Sequence, residues 1–304
     1  MMKVSALGLK ILFAGWAKHD KNIHHDWPDL KNYEIRKDVD ALGDGVHDHQ
    51  FDIFYAPKEK RLGRTLIDIH GGAYIYSYRE NNYGYASVFA DAGYDVVLLD
   101  YPHNSKKQGA DEQIRVLAKQ LAFLATHASE LELDGSEFGL IGDSAGGHFA
   151  LLFAETFCDP NIQKELGIDL GGIRFNGVAV SSPVYDYLSA AHTEGLSVSG
   201  KKYMFGPNYK DDEAMKRLSP KTYIETLSLP LFINACRHDF IGEQPLMLRE
   251  ELKKLGRDFT WCFIDAEDGY VDHVHNVTKI SLPESKQVND AILAFFDPLF
   301  GKAK

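Results

Sequence analysis

The hexapeptide Gly142-Asp143-Ser144-Ala145-Gly146-Gly147 stands between an apolar run, Phe138–Ile141, and a helical pattern that extends to Phe157. A strand that passes into a helix through so short a segment must turn sharply. The flanking glycines are required because the incoming strand and outgoing helix nearly touch, and the turn holds its serine in strained backbone geometry. Such a unit belongs to an α/β architecture. A phosphate-cradling loop would instead end in Lys-Ser/Thr or show a G-x-G-x-x-G spacing, and neither occurs here.

The surrounding pattern agrees with that unit. Two alternating segments, Glu34–Val39 and Gln50–Tyr55, flank the turn signal Gly43-Asp44-Gly45 and predict an antiparallel hairpin. Apolar or β-branched strands then follow at Thr65–Ile69, Asp95–Asp100, Phe138–Ile141, Gly177–Ser181, Leu231–Ala235 and Thr260–Ile264. Helical patterns lie between or after them at Asn82–Ala92, Asp111–Leu131, Gly146–Phe157, Pro245–Leu255 and Ser285–Phe296. This alternation predicts a mostly parallel sheet of about eight strands with helices on both faces. Chemistry is expected in the loops at the carboxyl ends of the strands. Residues 185–229, rich in polar turns, read as an insertion between two core strands that could form a lid with the N-terminal helical segment, residues 1–32. The whole of 1–304 is expected to be one domain.

Composition narrows the function classes. A formal net charge of -11 opposes nucleic-acid binding, which demands a basic face. Cys158, Cys236 and Cys262 form no CxxC pair, which argues against a disulfide framework or a metal site and fits a reducing, cytoplasmic setting. The N-terminus opens like a secretory leader, with Lys3 ahead of Val4–Leu9. Lys10 interrupts that run, however, and no small-x-small site follows before Trp16. The helical recurrence of Leu9, Leu12, Phe13 and Trp16 predicts an amphipathic helix retained in the mature chain. No apolar stretch is long enough to predict a membrane span.

A second glycine-rich loop, His70-Gly71-Gly72-Ala73-Tyr74, directly follows the strand Thr65–Ile69. Acyl transfer needs preorganised N–H donors aimed at an oxygen that becomes negative, and a loop without bulky side chains lets a substrate reach the backbone. Upstream of a G-x-S-x-G turn, this loop assigns oxyanion donors to Gly72, Ala73 and Ala145. Gly71 is then the turn residue, and His70 braces the loop. Asp143 is expected to be structural at the turn.

With both motifs in view, the chain resembles the hormone-sensitive-lipase-like branch of the α/β-hydrolase esterases, which carry H-G-G-G/A and G-D-S-A-G-G. The resemblance covers the core from about Thr65 to the C-terminus and implies the same three oxyanion donors. Two departures stand out. Ala73 replaces a glycine found in many members, and Asp100-Tyr101-Pro102 stands where members often read D-Y-R, so any role of that arginine is absent.

A serine hydroxyl needs an adjacent base, and a histidine base needs a carboxylate to fix its tautomer. In this fold the chain order is Ser, then Asp/Glu, then His. Asp239, in the loop after Leu231–Ala235, occupies the position where the resembling esterases place their acid. Beyond the helical pattern after Ser144, which itself contains His148, four histidines follow. His192 lies in the insertion and His238 adjoins the acid. His273 and His275 follow the last strand, where the base belongs, and His273 is favoured, with His275 as its rival and an expected helix-leading or loop-bracing residue. Asp268 and Asp272 are expected to be solvated loop carboxylates.

These residues predict a carboxylic ester hydrolase that works through Ser144, His273 and Asp239 without a metal or cofactor. The resemblance implies small esters with acetyl or other short acyl groups, and an amidase or formamidase on the same residues is the alternative. Tyr74, Tyr76, Tyr78 and Tyr83 either line an alcohol-side pocket or pack loop against lid. The expected partner is a small-molecule ester rather than a nucleic acid, and a homodimer is left open.

Overall fold

In a sheet covered on both faces every strand residue needs an apolar environment, which is why the central strands read as unbroken apolar runs. The computed structural model describes residues 3–23 and 26–301, and the side chains of its first helix as far as Gly15. That helix, α1, spans Ala6–Ile23, so the predicted inward position of Trp16 falls outside the described side chains. Strands β1 (Ile35–Val39), β2 (Phe51–Phe54) and β3 (Arg64–Ile69) follow, then α2 (Tyr83–Asp91), β4 (Tyr94–Leu99) and α3 (Ala110–His127). Next come β5 (Phe138–Asp143), α4 (Ser144–Cys158), α5 (Pro160–Leu166) and β6 (Phe175–Ser181). Three short helices, α6 (Tyr187–Ala191), α7 (Val198–Phe205) and α8 (Asp212–Arg217), separate β6 from β7 (Leu231–Cys236). The chain ends with α9 (Glu243–Lys254), β8 (Thr260–Ile264), α10 (His275–Thr278) and α11 (Pro283–Phe296).

The strands form one eight-stranded sheet in the order β1-β2-β4-β3-β5-β6-β7-β8. Its first two pairings, β1 with β2 and β2 with β4, are antiparallel. The remaining pairs are parallel. The period-2 alternation of strand side chains divides the core into two. Ile67, Val97, Leu140, Val178 and Ile233 pack on one face, whereas Leu66, Val96, Ile141, Ala179 and Phe232 pack on the other. The predicted hairpin, the six later strands and the five later helices are all present within a few residues.

Three local differences have physical causes. The helix expected over Asp111–Leu131 tightens into a 3-10 turn at Ala128–Leu131 and stops at Glu132, which adopts φ 58°. Helix α5 was missed although its signals are in the chain: Asp159 caps Asn161 N, proline opens the first turn, and Gly167 ends it at φ 65°. The single turn α10 is too short to show a period. Among the described residues no helix is long and apolar enough to cross a membrane.

Candidate active site

The carboxyl end of β5 and the amino end of α4 meet at Ser144, which holds a left-handed backbone at φ 52°. That conformation strains a residue with a side chain and lifts the hydroxyl out of the turn. A Cβ at Gly146 would run into the carbonyl oxygens of Ile69 and His70, so β3 passes directly against the start of α4. One at Gly142 would lie 2.6 Å from Gly146 O. The glycines flanking the serine are therefore there for close approach.

Two later loops converge on this point. His273, after β8, lies with Nε2 2.9 Å from Ser144 Oγ and Nδ1 2.8 Å from Asp239 Oδ1. Asp239, after β7, also accepts the Ile241 N–H at 2.9 Å. Burial alone would raise the Asp239 pKa, but the hydrogen bond and charge of His273 outweigh it and hold the carboxylate below its usual range. Asp239 Oδ2 is buried without a hydrogen-bond partner among the described residues. The structure thus brings three of the predicted residues, Ser144, His273 and Asp239, into one hydrogen-bonded series.

The rival residues are engaged elsewhere. His275 opens α10, is fully buried, and places Nδ1 3.0 Å from Ser285 Oγ. Burial pushes its pKa down to about 4, so it is neutral and away from Ser144. Asp268 accepts the Tyr270 N–H in its own loop. Asp272 is not simply solvated, because Lys279 Nζ donates to it at 2.7 Å. His192 pairs with Asp212, and His238 faces Glu267 O.

The loop after β3 carries consecutive left-handed residues, Gly72 (φ 124°), Ala73 (φ 51°) and Tyr74 (φ 67°). It lies against the serine: a Cβ at Gly71 would be 3.1 Å from Ser144 Cβ. Gly72, Ala73 and Ser144 line the same cavity, and Ala145 stands in the first turn of α4, where N–H groups have no intrahelical acceptor. The loop is anchored beneath by a buried polar network. Asp143 accepts the Gly71 N–H at 3.0 Å and Asn82 Nδ2 at 3.3 Å, and Asn82 also donates to Asp68 at 2.8 Å. Burial, reinforced by the Asp143 charge, pushes the Asp68 pKa up to about 7.

His70 braces the loop as expected. Its Nδ1 donates to Gly71 O at 2.6 Å, its Nε2 donates to Asp100 Oδ1 at 3.0 Å, and its ring stacks on Tyr101 at 4.3 Å. Burial opposes its charge, but Asp100 wins and raises the His70 pKa. Asp100 is bound in turn by the fully buried Arg79, at 3.0 Å, which also reaches Asp52 and Asp38. Sequence reasoning missed Arg79. It noted only that Pro102 stands in an arginine's place, and nothing local to Arg79 tells which carboxylate it will meet.

The cavity above Ser144 has a volume of about 890 Å3. Leu9, Leu12 and Phe13 of α1 form part of its wall, with Trp27, Met204 and Phe240. Of the four tyrosines Tyr74, Tyr76, Tyr78 and Tyr83, only Tyr76 lines it, stacked on Phe13 at 5.4 Å. Tyr74 is buried against His148, Phe149 and Tyr187, Tyr83 bonds Asp52 in the interior, and Tyr78 lies beside His103. Of the two readings of these tyrosines, the pocket is met by Tyr76 alone, because Tyr74 and Tyr83 turn into the core and Tyr78 is 40% exposed away from the cavity.

The model of the BD-FAE family matches residues 51–245, from β2 to the start of α9. The chain belongs to the BD-FAE family. Among curated proteins, it is 28% identical over 205 residues to a protein named probable carboxylic ester hydrolase LipM, from Mycobacterium tuberculosis. The match takes in 66% of this chain and 47% of LipM. Esterase LipQ of the same organism is 22% identical over 92% of this chain and 66% of its own length. The chain therefore spans about half the length of LipM and about two thirds that of LipQ. Among solved structures, inhibited esterase B from Lactobacillus rhamnosis superposes with a TM-score of 0.87, at 24% identity, over 96% of this chain and 95% of that one. A bacterial heroin esterase superposes at 0.71, with 18% identity, over 99% and 95%. This BD-FAE member has the α/β-hydrolase fold, and the resemblance read from its two glycine-rich motifs is borne out.

Proposed function

We propose that the protein hydrolyses carboxylic esters through an acyl-enzyme. The observation that carries this reading is the series Ser144 Oγ, His273 and Asp239, with bonds of 2.9 and 2.8 Å. In it Ser144 Oγ–H donates to His273 Nε2, and His273 Nδ1–H donates to the ionised Asp239, which fixes the tautomer. His273 takes the hydroxyl proton as Ser144 attacks the acyl carbonyl. The N–H groups of Gly72, Ala73 and Ala145 hold the oxygen that becomes negative. The imidazolium then gives its proton to the leaving alcohol, and water repeats the sequence on the acyl-enzyme.

Short acyl groups are the proposed substrates, with one face of the ester against Leu12, Phe13 and Tyr76, which line the cavity. Helix α1 and residues 185–229 act as the lid, since α1 forms a cavity wall and Ser197 N donates to Val4 O at 2.9 Å. The esterase names of LipM, LipQ and esterase B support the same chemistry.

The test is an acyl series of p-nitrophenyl esters from acetate to octanoate, with a matched anilide, on Ser144→Ala, His273→Ala and His275→Ala. Ser144→Ala and His273→Ala should lose on the order of 10⁴-fold or more in kcat, and Ser144→Ala should not react with a fluorophosphonate probe. His275→Ala should keep its chemistry. Faster anilide cleavage would mean an amidase, and an active His273→Ala beside a dead His275→Ala would refute the base assignment.

A further inference from the structure

Helix α1 is apolar on two sides, and the interior uses only one. Ala6, Leu9 and Phe13 are buried, whereas Leu7 and Ile11, one turn apart on the opposite face, are 68% and 66% exposed. Val198, the first residue of α7, is 65% exposed and Val4 is 39% exposed. Hydrogen bonds tie these residues into one surface. Val4 N donates to Gly195 O and Ser197 N to Val4 O, each at 2.9 Å, while Ala6 N reaches Ser199 Oγ at 3.3 Å. Isolated exposed apolar side chains are ordinary, but a contiguous set beside a substrate cleft marks a surface that meets something apolar.

Charge narrows what that something is. Lys3, Lys10 and Lys202 are exposed around the patch and Lys201 is half-buried beside them. Glu194 is the acid closest in sequence to this surface, and neither residues 3–15 nor α7 contain one. The protein as a whole carries -11, so a local basic excess runs against its overall balance. Lysine stems can lie along apolar surface while their ammonium groups reach outward, and Lys10 Nζ, 5.3 Å from the centre of the Tyr203 ring, joins α1 to α7 at this surface. Apolar residues ringed by lysines suit the boundary between lipid headgroups and acyl chains.

We propose that this face of α1 and the start of α7 docks on an anionic phospholipid surface. Docking there would bring the cavity to the interface, because Leu9, Leu12 and Phe13 on the other side of the same helix line it. The docking is a binding event and stands whether or not Ser144 acts as proposed above.

The experiment is co-sedimentation of the full chain with vesicles of phosphatidylcholine alone and of phosphatidylcholine mixed with phosphatidylglycerol, at low and high salt. Two variants accompany it: Leu7→Ser/Ile11→Ser/Val198→Ser, and Lys3→Glu/Lys10→Glu/Lys201→Glu/Lys202→Glu. None of these residues lines the cavity, and unchanged thermal melting with an unchanged circular-dichroism spectrum shows that each variant is folded. The wild type should bind the anionic vesicles, less so at high salt, and not the neutral ones. Each variant should bind about tenfold or more weakly. Equal binding by the variants, or none by the wild type, would overturn the proposal. A halved molar mass of the serine variant in light scattering, without vesicle binding by the wild type, would show that a second copy covers this face and would also overturn it.

Discussion

Replacing Asp68 by asparagine should stabilise the protein, and more so as pH rises. Asp68 is buried on β3, accepts one hydrogen bond from Asn82 at 2.8 Å, and has no partner on its other oxygen among the described residues. Burial, with Asp143 adding negative charge, lifts its pKa from 3.8 to about 7. The folded state therefore holds a proton that the unfolded state releases between those values. Asp68 is harmless below pH 3.8, and it removes stability as pH rises until the folded group itself ionises near 7. At 1.36 kcal/mol per unit, the full penalty is about 4 kcal/mol, of which about 2.5 kcal/mol develops between pH 5 and pH 8. Asparagine keeps the acceptor for Asn82 and carries no charge. Urea unfolding of wild type and Asp68→Asn at the two pH values cancels in the difference the titrating groups that do not interact with Asp68. A variant that gains no more at pH 8 than at pH 5 would refute the reasoning. A smaller gain than predicted would show that Asp68 sheds its charge cost to water or neighbours.

Three other outcomes follow from the geometry. Gly146→Ala should destabilise by more than about 4 kcal/mol, the range reserved for severe overpacking and backbone strain, because its methyl group meets the carbonyls of Ile69 and His70; yield of folded protein and thermal melting would report it. Asp239→Asn should lower kcat by about 10⁴ with KM little changed, since the amide lets His273 adopt the wrong tautomer, and steady-state kinetics on p-nitrophenyl acetate would show it. His275 has a folded pKa of about 4 against an ordinary 6.5. Its unfolded form therefore binds the extra proton, and stability falls as pH drops from 6.5 towards 4. His275→Gln should flatten that loss by up to about 3 kcal/mol in unfolding experiments across the window.

Much of the fold was legible because its signals are local. The turn at Gly43-Asp44-Gly45, the apolar runs of β3 to β7 and the close-approach glycines at Gly142 and Gly146 each state their conformation within a few residues. Helix α5 is equally local in its signals, with cap, proline and closing glycine all present. Other features depended on partners far along the chain. Tyr74, Tyr76 and Tyr83 look alike in sequence, yet one enters the core, one lines the cavity and one bonds Asp52. Arg79 carries no local mark of the buried carboxylates it joins. The difference between His273 and His275 accompanies the left-handed Val274 between them, at φ 50°: one histidine meets Ser144 and the other Ser285.

From its own residues the chain determined a mostly parallel, doubly covered sheet and a serine on a strained turn beside a glycine-rich loop. Strand periodicity, apolar runs and glycine geometry act over short distances and can be read one segment at a time. Tertiary structure decided which histidine meets Ser144 and which carboxylate meets that histidine, what holds the His70–Tyr74 loop from beneath, and which side of α1 faces the cavity. Those depend on contacts between residues as far apart as Ser144 and His273, separated by 129 positions, which no local pattern encodes.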